Sequence, residues 1–222
     1  MPQRKSLPKD KHLEKVVALA KKHSAAAELE TFLQQYYADI AEEDILAHTP
    51  EDLYGAALSH WEFGAKRLPG ESKVRVFNPG TKKEGWKSPH TIIEMVNDDM
   101  PFLVDTTTMT LSRAGIGIHL TVHPMYQMKR DARGSLLSLH DSGKPEGLAN
   151  ESWMHLEVDR QAGAETLAKL EALLQGAMRD VRATVNDWRT MRDKLTEVTA
   201  AVHKHRSILG DAVVDEGKLF LE

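Results

Sequence analysis

The spacing of apolar residues changes near Gly70, and this change limits the chain to folds that combine helices with a sheet. Before Gly70, apolar side chains recur every three or four residues, as Leu53, Ala57, Trp61 and Ala65 do. After Gly70 they alternate, as in Ile116, Ile118, Leu120 and Val122. The first spacing is typical of an α-helix buried along one face, and the second is typical of a half-buried β-strand. A purely helical bundle and a purely β-sheet fold are both disfavoured.

Residues 1–70 form the first predicted domain, which is an N-terminal helical segment. Helices are predicted over residues 11–23, 27–40 and 50–65. The third has the clearest start, because Thr49 can cap its first N–H groups and Pro50 stands where a missing N–H costs nothing. The pair Pro69–Gly70 is expected to end it.

Residues 71–187 form the second predicted domain, in which short strands and two helices follow one another. The strands are predicted near residues 73–76, 91–96, 116–122, 135–139 and 153–158, and the helices over 101–114 and from 165 onward. This order indicates an α+β fold with a mainly antiparallel sheet and helices on one face, and it admits a split βαβ, ferredoxin-like core. Asn186 and Asp187 are expected to interrupt the last helix, so residues 188–222 are predicted to form a separate C-terminal helix.

Composition excludes several classes of function. The 222 residues contain no cysteine, which excludes disulfides, thiolate metal sites and thiol catalysis. The chain has 29 Lys and Arg against 33 Asp and Glu, a net charge of −4, and no long basic block, so nucleic acid is not an expected partner. No apolar run approaches the roughly 20 residues that a membrane-spanning helix needs. We therefore expect a cytoplasmic protein with no membrane partner.

The turn between the second strand and the helix near Pro101 is the candidate ligand site. The start of this helix directs free N–H groups toward an anion such as a carboxylate, while Asp98 and Asp99 can meet an ammonium group. The turn could thus hold both ends of an amino acid. In the alternative interpretation the two aspartates only cap the helix. The candidate ligand-binding residues are Asn97, Asp98, Asp99, Met100, Pro101, Phe102 and Leu103.

Eleven histidines suggest a metal site, but their spacing argues against one. His119 and His123 lie on one face of a strand, about 13 Å apart, which is too far to share an ion. His119 and His155 on neighbouring strands would give two ligands where a structural site needs four. We expect no metal. The candidate interface residues, on a polar side of the sheet that is exposed or pressed against another domain, are His119, Trp153, His155 and Glu157.

No complete catalytic motif is recognisable in the sequence. The stretch 115–117 has two of the three glycines of a dinucleotide-binding loop, and it enters a strand instead of opening a helix. Asp98 and Asp99 are neighbours, and nothing places them across a cleft for acid–base chemistry. We therefore expect no catalytic residue and no cofactor site in this segment.

Six segments resemble, in order along the chain, the N-terminal region of the large bacterial NAD-specific glutamate dehydrogenases. They are Phe32–Asp39, Glu51–Ala57, Val74–Pro79, Gly85–Thr91, Asn97–Asp105 and Glu151–Arg160. The resemblance extends from about residue 30 to the C-terminus, and residues 74–105 are its most specific part. It implies an ACT-like regulatory fold in this region and a catalytic domain far downstream.

The chain departs from the ACT pattern in two ways. ACT domains carry an Asp-x-Pro-Gly-Leu-like turn after their first strand, and Asp99–Leu103 is similar except that Phe102 stands where the pattern has glycine. Glycine lets a ligand approach the backbone, whereas Phe fills space. The second departure is the strand order, because an extra strand precedes the core and no clear strand follows the helix near Glu165.

The resemblance implies a non-catalytic N-terminal regulatory or assembly region of an NAD-dependent glutamate dehydrogenase, with an amino acid as the candidate effector. The alternative is a purely structural inter-domain or oligomerisation module with no ligand. NAD and the oxidative deamination of glutamate to 2-oxoglutarate would belong to the full-length enzyme. Residues 188–222 would lead toward the rest of that chain, and the implied partners are this remainder and further copies in a homo-oligomer.

Overall fold

A computed structural model describes residues 8–23, 27–140, 148–204 and 210–221. The predicted N-terminal segment thus includes residues 1–7 and 24–26, which lie outside the described residues. The chain divides into two compact units, Met1–Met178 and Arg179–Glu222. None of the described helices is long and apolar enough to cross a membrane.

Four helices precede the sheet, and their bounds are α1 Pro8–His23, α2 Ala27–Tyr36, α3 Glu42–Leu46 and α4 Pro50–Gly64. The predicted start of α4 is confirmed, because Thr49 has extended backbone angles and its side chain accepts a hydrogen bond from the backbone N–H of Asp52. Pro50 is the first helical residue, where it lacks an N–H that would have no partner within the helix.

Six antiparallel strands form one sheet, and their bounds are β1 Lys73–Phe77, β2 Thr91–Asp98, β3 Ile118–Val122, β4 Met125–Arg130, β5 Leu136–His140 and β6 Ala149–Val158. The order along the sheet is β1-β2-β6-β4-β5, and β3 also pairs with β6. Strands β3 and β4 follow one another along the same edge of β6, where Val122 pairs with His155 and Met125 pairs with Ser152. The chain bends between them at His123 and Pro124.

The predicted split βαβ core is present, which confirms the α+β, ACT-like class. Strand β2 leads through helix α5, Leu103–Arg113, to β3, and β6 lies between the two strands. The extra strand predicted before the core is β1, which pairs with β2 at the outer edge. No strand follows the next helix, α6, within residues 164–204 and 210–221.

The N-terminal helices cover one face of the sheet. Phe32 of α2 lies at the centre of this core, and its ring centroid is 4.8 Å from that of Tyr126 and 5.1 Å from that of Trp153. Helix α4 approaches the sheet so closely that a Cβ added to Gly64 would lie 1.9 Å from Trp153 Cη2. The helical segment and the sheet therefore share one hydrophobic core.

Helix α5 packs against the opposite face of the sheet. The apolar residues of this face alternate along the strands with those that face the N-terminal helices. The Thr107 hydroxyl lies 3.9 Å from Met95 Sδ, and Leu111 is fully buried. At the edge, Glu171 of α6 accepts a hydrogen bond from the N–H of Val76. Helices therefore lie on both faces of the sheet. The N-terminal helices cover one face, and α5 packs against the other.

The last helices differ from the prediction in their bounds. Helix α6 runs from Ala164 to Lys204 without a break, so the interruption predicted at Asn186 and Asp187 is wrong. Both residues are exposed, and their local preference for capping is too weak to end a helix that continues with good helix formers. Within the range predicted as one C-terminal helix, 188–222, residues 188–204 belong to α6 and a further helix, α7, spans Asp211–Leu221.

Candidate functional site

The candidate turn lies at the end of β2 and leads directly into α5. Phe102 immediately precedes the helix and has a φ of 72°, which makes it the one described non-glycine residue with a positive φ. This is the backbone conformation that glycine adopts most easily, so the turn keeps the shape for which the ACT pattern uses glycine. Phe102 is 58% exposed, so it is not packed in the core of the protein.

Helix α5 begins directly after Phe102, which stands at its N-cap position. Phe102 provides no side-chain hydrogen bond to the helix, and its carbonyl oxygen accepts the first helical bond, from the N–H of Thr106. Asp98 accepts a hydrogen bond from Arg67, and the backbone N–H of Asp99 donates to the Asn150 carbonyl oxygen. The alternative interpretation, in which Asp98 and Asp99 only cap the helix, stays a prediction.

Asp98 belongs to a network of charges that we call the arginine network: Arg67, Asp98, Arg130 and Glu151. Arg67 Nη2 donates to Asp98 Oδ1 and to Glu151 Oε1, both at 2.8 Å. Arg130 donates to the same Glu151 carboxylate from Nε and Nη2. Burial alone would raise the pKa of Glu151, but the bonds from Arg130 and Arg67 outweigh it and hold this pKa below its usual value. Glu151 is therefore ionised although it is fully buried.

The arginine network attaches the candidate turn to the end of helix α4. Arg130 Nη2 also donates to the Gly64 carbonyl oxygen, the last residue of α4, at 2.9 Å. Arg67 lies in the connection after α4 and donates to the Glu71 carbonyl oxygen as well. Hydrogen bonds thus connect the candidate turn, through Glu151, to the C-terminal end of α4.

A cleft of about 550 Å³ opens beside the turn. It is lined by Gln35, Ala38, Asp39, Asp99, His123, Pro124, Met125, Tyr126, Gln127, His140 and Asn150. Asp99 is the residue that the turn and the cleft share. Three lining residues, Gln35, Ala38 and Asp39, come from the end of α2 and the segment after it, so the helical segment completes the cleft.

The cleft combines acidic, basic and amide groups. Burial lowers the pKa of His123, although the nearby charge of Asp99 acts in the opposite direction, so the imidazole is neutral near pH 7. Its Nε2 lies 2.7 Å from the Ser152 hydroxyl. The buried Oε1 atom of Gln127 has no hydrogen-bond partner within the described residues. Such groups suit a small polar ligand with an ammonium group for Asp39 and Asp99 and an acceptor for the side-chain amides.

Asn97, the first candidate residue, is fully buried beside the turn. Neither atom of its side-chain amide has a hydrogen-bond partner within the described residues. A buried amide without partners costs free energy. The remaining candidates differ in exposure, because Leu103 is buried in the core, Pro101 is exposed and Met100 is half-buried. The structure thus brings only Asp99 of the predicted set into the cleft.

Three of the four predicted interface residues lie beneath the chain's own helices. Trp153, His155 and Glu157 are at most 4% exposed. The His60 ring of α4 is 5.0 Å from that of Trp153, and the Tyr36 ring of α2 is 6.3 Å from that of His155. The sequence pattern identified a distinct face of the sheet, but it did not show that the preceding helices cover it.

His119 does not share that face. It lies at an irregularity in the pairing of β3 with β6, its side chain is 45% exposed, and its Nε2 is 2.8 Å from Asp159 Oδ1. An interface role for His119 stays a prediction.

The described residues contain no arrangement that would bind a metal ion through three or more histidine, aspartate or glutamate side chains. The two glycines that resembled a dinucleotide loop also have other roles. Gly115 follows α5 with a φ of 70°, and the Gly117 N–H donates to Asp159 Oδ2. Neither stands at the start of a helix, so this segment does not fit a dinucleotide phosphate.

The arginine network and the contribution of the helical segment to the cleft were missed by the sequence analysis. Arg67 follows a helix and precedes Pro69–Gly70, a position at which a solvated arginine is the ordinary expectation. Glu151 stands at the start of an alternating strand, where its charge favours the solvent face. Gln35 and Asp39 lie within the segment Phe32–Asp39 that resembles the dehydrogenases, but no local sequence signal indicated that they lie near Asp99.

Residues 32–174 match the family model for the glutamate dehydrogenase ACT1 domain. Among curated proteins, the chain is similar to the NAD-specific glutamate dehydrogenase of Halomonas elongata, with 39% identity over 170 residues, which cover 75% of this chain and 10% of that protein. The enzyme of the same name from Pseudomonas aeruginosa is 32% identical over 199 residues, which cover 89% of this chain and 12% of that protein.

The similarity extends to a more distant organism. The NAD-specific glutamate dehydrogenase of Mycobacterium tuberculosis is 26% identical over 150 residues, which cover 66% of this chain and 9% of that protein. The chain spans about a tenth of the length of the curated relatives that it matches.

Proposed function

Because this chain belongs to the glutamate dehydrogenase ACT1-domain family, we propose that it is a non-catalytic regulatory region of an NAD-dependent glutamate dehydrogenase and that it senses an amino acid. In the whole enzyme, NAD would accept the electrons removed when glutamate is converted to 2-oxoglutarate. That chemistry would take place in another part of the protein, and this region would change its rate.

The observation that carries the proposal is the cleft of about 550 Å³ beside the candidate turn. Asp99 lies in both, so a ligand in the cleft touches the segment that begins α5. The ammonium group of an amino acid would lie near Asp99 and Asp39. Its carboxylate would accept hydrogen bonds from the amides of Gln35 and Asn150, and its side chain would lie against Met125.

The arginine network gives a physical route from the cleft to the helical segment. Asp98 is the neighbour of Asp99 and bonds to Arg67, and Arg130 of the same network bonds to the last residue of α4. An effector regulates only if it binds two states of the protein with different affinity, and such a difference typically amounts to about 1–3 kcal/mol. Displacement of the turn against α4 is the change of state that we propose.

Thermal unfolding in the presence of a panel of amino acids tests the proposal. A ligand at one hundred times its dissociation constant stabilises the folded state by about 2.7 kcal/mol. Since about 1 kcal/mol raises the Tm of a chain of this length by roughly 2–4 °C, a true effector should raise it by about 5–10 °C. Asp99→Asn should abolish this rise. The matched control is Asp105→Asn, which removes an exposed carboxylate of α5 outside the cleft and should leave the rise unchanged.

A flat response to every amino acid would contradict the sensing role and favour the alternative, a structural module that joins other domains or copies. An equal response in wild type and Asp99→Asn would place the ligand elsewhere and would contradict the proposed site. Assay of the purified chain with glutamate and NAD tests the non-catalytic part of the proposal separately, and turnover by the chain alone would contradict it.

A further inference from the structure

Several histidine and carboxylate side chains lie together at the C-terminal end of β6, away from the cleft. We call it the histidine–carboxylate cluster: His48, His90, His119, Glu157 and Asp159. His48 Nε2 is 3.4 Å from Glu157 Oε1, and His90 Nε2 is 3.8 Å from Glu157 Oε2. The rings of His90 and His119 stack at 4.2 Å, and His119 contacts Asp159. Glu157 is therefore the carboxylate between two imidazoles.

The cluster joins parts of the chain that are distant in sequence. His48 lies between α3 and α4, His90 lies in the loop before β2, and Glu157 lies near the end of β6. The Glu157 side chain is only 5% exposed, and it also accepts a hydrogen bond from the Ser88 hydroxyl. The contact between His48 and Glu157 thus attaches the segment that begins α4 to the central sheet.

The hydrogen bonds of His48 determine which protonation state fits this contact. Its Nδ1 lies 2.8 Å from the Asp44 carbonyl oxygen, which can only accept a hydrogen bond, so Nδ1 carries a proton. In a neutral ring Nε2 would then present a lone pair to the Glu157 carboxylate, which repels it. A protonated ring donates on both sides. Only the imidazolium form satisfies both contacts.

We propose that His48 and Glu157 form a proton-operated clasp, which holds the start of α4 against the sheet when His48 is protonated and releases it when His48 loses its proton. His90 and Ser88 line the same carboxylate from the loop before β2. They keep Glu157 in place when the clasp is open.

The charges around the clasp support this direction. The contact with Glu157 raises the pKa of His48, and burial opposes it to a lesser degree. Burial lowers the pKa of His90, so His90 is neutral and does not compete for Glu157 near pH 7. The other titratable or charged groups that face the clasp from the surrounding elements are His12, Tyr37, Asp44, Asp52, Lys87, His119, His155, Asp159 and Arg160.

The sign of the pH dependence follows from the raised pKa. The stabilisation is fully present below the ordinary pKa of histidine, about 6.5, and is lost as the pH rises through the higher pKa of the closed state. Each pKa unit by which His48 in the closed state exceeds an ordinary histidine makes opening of the start of α4 about tenfold more frequent at high pH. The start of α4 should therefore open more often at pH 8.5 than at pH 6.

Hydrogen exchange of the backbone amides of residues 45–53, expressed as protection factors at pH 6 and pH 8.5, measures this opening in the whole chain. Wild-type protection should fall at pH 8.5. His48→Lys keeps a positive charge across this range and should retain high protection at both values. His48→Gln should show the low protection of the open state at both values.

The matched control is Glu165→Gln, which removes an exposed carboxylate that pairs with Lys169 and should leave the wild-type pH dependence intact. Nuclear magnetic resonance titration of the His48 ring gives a second measure, in which Glu157→Gln should lower its pKa. Equal protection of wild type at both pH values would overturn the clasp. The clasp would also be overturned if the protection factors of wild type and His48→Gln fell by the same amount between pH 6 and pH 8.5.

Discussion

Glu94 and His155 face each other across β2 and β6, and the same burial shifts their protonation in opposite directions. Burial raises the pKa of Glu94 to about 7, although Arg75 forms an ion pair with it, and lowers the pKa of His155 to about 4. The raised carboxyl pKa makes the protein less stable as the pH rises from about 4.5 to 7. The lowered imidazole pKa makes it more stable as the pH rises from about 4 to 6.5. In the wild type these two effects offset each other.

Glu94→Gln should uncover the contribution of His155. The variant loses the group that destabilises the protein as the pH rises. For each protein, the change in free energy of unfolding from pH 4.5 to pH 7.5 is measured. This change should be more favourable in Glu94→Gln than in the wild type by about 3 kcal/mol, because each pKa unit corresponds to about 1.4 kcal/mol. Denaturant unfolding at the two pH values measures it. A Trp188→Phe background restricts the tryptophan signal to unit Met1–Met178.

The comparison within each protein cancels any constant cost of leaving Arg75 without its partner. If the pH dependence of Glu94→Gln matched that of the wild type, Glu94 would already be ionised throughout this range and the assigned pKa would be contradicted.

Phe102 allows a second test at a single residue. A β-branched side chain tolerates a positive φ poorly, so Phe102→Val should destabilise the protein by about 1 kcal/mol. Phe102→Gly relieves the strain but adds freedom to the unfolded chain, so its effect should be smaller. Denaturant unfolding of both variants measures which substitution lowers the free energy of unfolding more. Equal destabilisation by Val and Gly would show that contacts of the aromatic ring, and not backbone conformation, determine the residue at this position.

At the level of the elements, the approach of α4 to the sheet depends on Gly64. A methyl group there would overlap the Trp153 ring, because the added Cβ would lie 1.9 Å from Cη2. Gly64→Ala should therefore destabilise the protein by about 1–3 kcal/mol or more as the helix is forced outward. Gly80→Ala is the matched control, since its Cβ would meet no atom closer than 3.9 Å, and its effect should be within about 0.5 kcal/mol. Denaturant midpoints compare the two.

A Gly64→Ala variant as stable as Gly80→Ala would mean that α4 does not lie against Trp153 as described. Near-ultraviolet circular dichroism of Gly64→Ala provides an independent check, because displacement of α4 should change the environment of Trp153.

The individual elements followed from the sequence more readily than their arrangement did. Alternation in residues 116–122 and 153–158 predicted two strands of the core, and Thr49–Pro50 predicted the start of α4. Alternation shows that a strand has two different faces but not what covers each face. Trp153, His155 and Glu157 therefore suggested an external contact, whereas the preceding helices supply it.

The candidate site was only partly predictable for the same physical reason. The turn around Asp99 carried local signals, because a strand end, a proline and a helix start stand together in sequence. The cleft brings Gln35 and Asp39 beside β4, which lies more than 80 residues further along the chain. Buried charges such as Arg67 and Glu151 are also rare, and each is explained only by a partner that is distant in the chain.

In the molecule as a whole, the arginine network is a charged link between the helical segment, the candidate turn and the β4–β5 hairpin. Arg67→Met should destabilise the protein by about 3–5 kcal/mol, because it leaves the fully buried Glu151 with one guanidinium fewer and removes one ion-pair partner of Asp98. Arg113→Met, at the exposed end of α5, is the matched control and should change stability by less than about 0.5 kcal/mol. Chemical denaturation of the two variants checks the difference.

Comparable stability of Arg67→Met and wild type would show that Arg130 alone satisfies Glu151. The network would then not couple the turn to α4.

The most direct measurement is a nuclear magnetic resonance titration of the isotopically labelled chain with glutamate, aspartate and the other amino acids of the panel. One of them should produce saturable shifts of the amide signals that cluster at Asp99, His123 and Asn150, with smaller shifts at the end of α4. The absence of saturable shifts with every amino acid, or shifts confined to residues far from the cleft, would contradict the role of this region as an amino-acid sensor.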